Sequence, residues 1–110
     1  MERFVKGDVV VLPFPFSDLT EAKRRPALVV AELDGNDRIL CQITSQLFRD
    51  RYAISIQEAD FEDGSLNKAS NVRPNRIFTA DSKIILYRVG HLRSNKLNLI
   101  IKGIIDILVG

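Results

Sequence analysis

A single cysteine, Cys41, and a single histidine, His91, are all that the 110 residues contain of either type. One cysteine excludes an intramolecular disulfide and a cysteine-cluster zinc site, and it is compatible with a reducing compartment. One histidine excludes a His–His metal site or a two-histidine acid–base pair within one protomer. Long apolar runs are missing as well. The opening MERFVKGDVV lacks the charged-then-apolar pattern of a signal peptide, and no stretch reaches the ~18 apolar residues of a membrane span. The expectation is a cytoplasmic protein with no membrane contact. There is no phosphate-binding glycine loop, no GxSxG elbow and no HExxH, and no internal repeat, low-complexity tract or interdomain linker.

Net charge is also small. Sixteen Lys and Arg against 14 Asp and Glu give +2, too mild for a protein that coats nucleic acid without direction, so any basic site must arise from local clustering. What the chain does have is core material: 45% hydrophobic and 27% charged residues match an ordinary globular balance. Its length corresponds to one domain, residues 1–110, at roughly 100–200 residues per domain.

Residues 8–14, DVVVLPF, are apolar and β-branched, and Pro13 and Pro15 limit this strand to about Leu12 or to an edge position. Residues 15–25 form a long loop carrying Ser17, Asp18, Thr20, Glu21, Lys23, Arg24 and Arg25, a candidate substrate-contacting segment. Two β-rich runs, PALVVAEL at 26–33 and RILCQIT at 38–44, flank the turn-forming Asp34-Gly35-Asn36-Asp37 and predict a hairpin. In such a hairpin the start of the first strand lies beside the end of the second, so Arg25 meets Thr44 and Ser45 at one sheet end.

YAISI at 52–56 reads as a half-buried strand, DFEDGS as a turn, and ASNVRPNRIFTAD as further strand material in which Pro74 imposes an edge or a bend. From Ser94, a plausible N-cap, Leu97, Ile100, Ile101, Ile104 and Leu108 recur at helical spacing and predict a helix of about four turns. Leu99, Ile105 and Ile107 add apolar surface, predicting that the helix lies in a groove or against a second protomer. The predicted fold is mainly β: a small, partly closed β-barrel with a C-terminal α-helix. That class hosts nucleic-acid binders, peptide binders and enzymes alike.

If the chain is an enzyme, it works with arginines, hydroxyls and a carboxylate or amide. This set suits phosphodiester chemistry on RNA, where the ribose 2′-hydroxyl is the nucleophile and guanidinium groups stabilise the phosphorane. Four blocks in order, GDVVVLPFPFSDL, RRPALVV, LCQITSQ and GSLNKASNVRPNRIFTAD, resemble the PemK/MazF family of toxin endoribonucleases over about residues 6–92. The resemblance implies an SH3-like barrel, a homodimer, metal-independent and sequence-specific cleavage of single-stranded RNA with no cofactor, and a cognate antitoxin that occupies the RNA site. Operator DNA would be reached only through the antitoxin complex.

Carried over, Arg25 matches the family arginine at the scissile phosphate, Thr44 and Ser45 its hydroxyl pair, and Arg73 a second arginine of some members. Two residues after that arginine those members place an aspartate, proposed as general base; this chain has Asn75, and a neutral amide cannot accept a proton. Asp18, Asp81 or an Arg25-centred electrostatic mechanism are the alternatives. Lys23, Arg24 and Arg76 are candidate phosphate contacts along an RNA groove, and Phe16 a candidate base-stacking residue beside Phe14.

Each also has a plainer reading. Arg25 alone is a strand-end arginine, Thr44 and Ser45 satisfy a turn, and Arg73 and Asn75 flank a bent edge strand. Cys41 reads as a buried hydrophobe, and His91 as structural or solvent-exposed. A non-catalytic RNA-binding or protein-interaction member of the same fold is the alternative function.

Overall fold

The computed structural model describes residues 3–14, 23–46 and 49–110. Seven strands form one sheet: β1 (Asp8–Phe14), β2 (Lys23–Glu32), β3 (Asp37–Thr44), β4 (Ile54–Ile56), β5 (Phe61–Gly64), β6 (Ser70–Asp81) and β7 (Tyr87–Leu92). The helix α1 (Ser94–Val109) follows. Strand order is β4-β6-β3-β2-β1-β7-β5, with every described pairing antiparallel.

This order forces the sheet to curl. The edge strands β4 and β5 would stand about 29 Å apart in a flat sheet of seven strands. Ile56 and Phe61 are only five residues apart in the chain, a span of at most about 18 Å. Both side chains belong to one buried cluster with Val9, Leu28, Ile43 and Val72, closed by Leu97, Ile100 and Ile104 of α1. The result is the partly closed half-barrel with a terminal helix that the sequence predicts.

The central strands are buried on both faces, and successive side chains serve opposite cores as the pleat requires. Val9, Leu28 and Val30 face the helix side; Val10, Leu12, Ala27, Val29 and Leu40 face a second, smaller cluster with Phe4, Ala80 and Ile85. Among the described residues no helix is long and apolar enough to cross a membrane.

The structure corrects several local expectations. β1 continues through Pro13 and Phe14, which pair with Arg24 and Lys23 of β2. The register with β7 ends at Val11, so Pro13 lies where β1 has a partner on one side only and its missing N–H is tolerated. β2 accordingly starts at Lys23, and Lys23, Arg24 and Arg25 are strand residues, not loop residues. The remainder of the expected loop, with Phe16 and Asp18, lies outside the described residues.

The segment expected to be a turn, DFEDGS, contains the edge strand β5, paired to β7. Gly64 looks like a turn glycine, yet it is needed because a Cβ there would approach the Val89 carbonyl oxygen to 2.0 Å, at a φ of +71°. The 52–56 strand shortens to Ile54–Ile56. β7 goes unread in the sequence because Arg88 and His91 give it a surface-like pattern. Both in fact converge on the buried Asp8: Arg88 Nε donates to Oδ1 at 3.1 Å, and His91 Nδ1 lies 2.8 Å from the same atom. His91 is thus a structural residue of β7.

Arg93, not Ser94, occupies the cap position of α1, and Ser94 is the first helical residue. Leu108 is exposed, because the last turn runs past the core cluster, which ends at Ile104. Leu99 and Ile105 are the exposed apolar excess that the sequence predicts.

Candidate active site

The smaller core occupies only part of its face of the sheet. Stepping by two along the same strands from Leu12, Ala27 and Leu40 leads to Phe14, Arg25, Gln42 and Thr44, so that face continues as an open surface. The β2–β3 register pairs Ala27 with Gln42, and continuing it by two residues sets Arg25 across from Thr44. The β1–β2 register sets Leu12 opposite Arg25.

A displaced stretch of β6 supplies the remaining wall. Cys41 pairs with Ile77 and Ile43 with Val72, so residues 73–76 bulge outward opposite the lone Gln42. Pro74, without an amide proton, is suited to this stretch. The buried Cys41 thiol donates to the Arg73 carbonyl at 2.9 Å and pins the start of the bulge. Burial pushes that thiol's pKa up to about 12, which removes it as a nucleophile.

The resulting cleft, about 270 Å³, is lined by Phe14, Arg25, Gln42, Ile43, Thr44, Gln46 and Arg73. It brings together Arg25, Thr44 and Arg73 of the candidates named from sequence. Ser45 is exposed just beyond the end of β3 and does not line it, and Lys23, Arg24 and Arg76 are exposed and do not line it either. Lys23 shares Arg25's side of β2 and Arg24 takes the other. Asn75 is exposed and also stays out of the cleft.

Thr44 Oγ1 accepts a hydrogen bond from the Gln46 backbone N–H at 3.1 Å, which leaves the hydroxyl proton for donation. Phe14 sits 5.4 Å from Phe78, ring centre to ring centre, at an interplanar angle of 44°. Arg73 Nε donates to Asp50 Oδ2 at 2.9 Å, and the Tyr52 N–H donates to Oδ1 at 2.9 Å. The Asp50 side chain is only 5% exposed. Burial pushes its pKa up, but the Tyr52 amide, the Arg73 guanidinium and the Asn75 side chain together outweigh that, and the carboxyl lies below the usual aspartate range.

A carboxylate with a depressed folded-state pKa stabilises the fold above its unfolded value of roughly 3.9, and loses that contribution as pH falls through the folded value. The stability advantage of the parent over Asp50→Asn should therefore be full at neutral pH and shrink below about pH 4. Urea midpoints measured from pH 7 down to pH 2.5 check this; an advantage that does not change with pH contradicts it.

Asp81 is corrected as an alternative catalytic carboxylate. It pairs with Asp37 at the far end of β3, about 23 Å from Thr44, and accepts from the Lys83 backbone N–H. A larger cleft, about 600 Å³, lies at that same turn end, bordered by Arg3, Asn36, Arg38 and Lys83. There the Arg38 guanidinium is engaged by the carbonyls of Phe4, Gly35 and Asp37. The smaller cleft is the one that gathers two guanidinium groups, a hydroxyl, two amides and an aromatic ring, a set fitted to a phosphodiester and an unstacked base. Sequence reasoning missed Asp50, Gln42 and Gln46. Gln42 carried one signal, its place in LCQITSQ between residues of the hairpin end; Asp50 carried none, since its partner is 23 positions away.

A family model described as PemK-like, MazF-like toxin of type II toxin-antitoxin system matches residues 5–108. Among solved structures, MazF (Form-I) from Deinococcus radiodurans superposes with a TM-score of 0.78 at 16% identity, covering 100% of both chains. An endoribonuclease in complex with its cognate antitoxin from a mycobacterial species gives 0.74 at 14% identity, over 98% of this chain and 95% of that one. The Mycobacterium tuberculosis toxin MazF-mt6 gives 0.71 at 15% identity, over 92% and 95%. Comparison with curated protein sequences finds no match.

Proposed function

The chain belongs to the PemK-like, MazF-like family of type II toxin–antitoxin toxins, and from this premise we propose that it is an endoribonuclease that cuts single-stranded RNA, messenger RNA included, in the Arg25–Thr44–Arg73 cleft. The observation that carries the reading is the convergence of those three side chains from β2, β3 and the β6 bulge on one open cleft. Structurally similar proteins named as endoribonucleases support it.

The proposed reaction needs no metal. The 2′-oxygen of the substrate attacks the adjacent phosphorus, the bond from phosphorus to the 5′-oxygen breaks, and the products are a 2′,3′-cyclic phosphate and a 5′-hydroxyl. Arg25 and Arg73 offset the charge that grows on the equatorial oxygens, and the Thr44 hydroxyl donates to one of them. Asn75 is an amide, and Asp50 is occupied by donors that lower its basicity, so neither takes the 2′-proton. Water accepts it, favoured by the Arg25 charge, and water protonates the leaving oxygen unless Arg25 delivers that proton. Lys23 and Arg76 hold flanking phosphates, Arg24 lies on the face of β2 away from Arg25 and takes no part, and Phe16 with Phe14 stacks an unpaired base. Ser45 assists beside Thr44.

The active form is a cytoplasmic homodimer that uses the exposed Leu99, Ile105 and Leu108, with residues 1–110 folding as one domain, and a cognate antitoxin blocks the cleft. The antitoxin in turn brings the complex to operator DNA. Purified protein incubated with a long unstructured RNA in excess EDTA, with the new ends mapped, tests the activity. Discrete cuts with cyclic phosphate ends support it. RNA that is bound but stays intact favours the non-catalytic reading, for which Asn75 is the motivating observation.

A further inference from the structure

The Asp50 carboxylate is 5% exposed, lies behind the cleft wall, and is absent from the sequence blocks that define the site. It comes from the segment ahead of β4, while its partner Arg73 opens the β6 bulge. Two donors converge on it: the Tyr52 amide on Oδ1 and Arg73 Nε on Oδ2. Arg73 and Asn75 are separated by Pro74, which is buried, and α1 closes over this point: a Cβ at Gly103 would lie 3.5 Å from Pro74 Cγ.

We propose that Asp50 is a positioning residue of the cleft, holding the Arg73 guanidinium through its Nε edge. The claim rests on the RNA-cleaving reading of the cleft. Its physical basis is the length of the arginine side chain. An unrestrained guanidinium on a bulge samples many rotamers, and a charge-assisted bond to a covered carboxylate fixes one of them before substrate arrives.

The test removes the carboxylate. Asp50→Asn should lower the single-turnover cleavage rate at least about tenfold while changing the RNA concentration at half-saturation less. Arg73 Nε–H, followed by NMR, reports the contact without any activity: a slowly exchanging signal in the parent, lost in Asp50→Asn.

An Asp50→Asn rate within twofold of the parent overturns the proposal. So does an Arg73 Nε–H signal unaffected by Asp50→Asn. A parent that cuts no RNA refutes the nuclease reading instead, and the NMR signal still decides whether Asp50 holds Arg73.

Discussion

Arg25→Ala is expected to reduce single-turnover RNA cleavage by roughly a thousandfold while leaving the fold intact. Arg25 is exposed at the start of β2, where the described pairing with β3 has already ended, so its side chain contributes little to the core. Exposed substitutions away from special features usually change stability by less than about 0.5 kcal/mol. In the proposed reaction its value lies in the charge it presents to a phosphorane facing Thr44. Removing one preorganised donor from such a site costs about 100- to 1000-fold in rate, and a charged one belongs at the upper end. Binding should fall far less, with the salt dependence of RNA affinity reduced by about one phosphate contact. Thermal melting, filter binding over a range of salt, and single-turnover kinetics separate the three effects. A variant that binds and melts like the parent and still cuts at a comparable rate would remove Arg25 from the chemistry.

Ile100→Ala has the opposite profile. Ile100 is 0% exposed, less than Leu97 or Ile104, and belongs to the larger cluster with Val9, Leu28, Cys41 and Val72. Truncation leaves a cavity that the curled sheet cannot collapse into, and such changes cost about 2–5 kcal/mol. Against a total stability of roughly 5–15 kcal/mol this is a large share. The melting temperature should fall by about 10 °C or more. Ile100 does not line the cleft, so the cleavage rate per folded molecule should stay close to that of the parent at a temperature where both are folded. A small loss of stability, or a rate loss as large as that of Arg25→Ala, would contradict the separation between the helix-side core and the cleft.

Much of this organisation is legible in the sequence because it rests on short-range rules. The hairpin of β2 and β3 follows from two β-branched runs around Asp34-Gly35-Asn36-Asp37, and its topology alone brings Arg25 to Thr44. The bend at Pro74 and the apolar spacing of α1 are equally local. What is not legible depends on partners distant in the chain. β5 is acidic and ends in glycine, which reads as a turn until β7 is placed against it. β7 hides its character behind Arg88 and His91, whose partner Asp8 is some eighty residues earlier. Asp50 sits in an unremarkable mixed-charge stretch and meets its partner Arg73 only when the β6 bulge folds against it.

The central claim is that the substrate's own 2′-oxygen is the nucleophile and that the cleft supplies the electrostatics. The most direct measurement uses an oligonucleotide with a single 2′-deoxy substitution at the mapped cleavage site, in excess EDTA. The account predicts binding within a few-fold of the all-RNA strand and no cut at that position, with cyclic phosphate ends only on the unsubstituted control. Cleavage of the substituted strand at the same phosphate would contradict it, because the nucleophile would then have to come from the protein or from water.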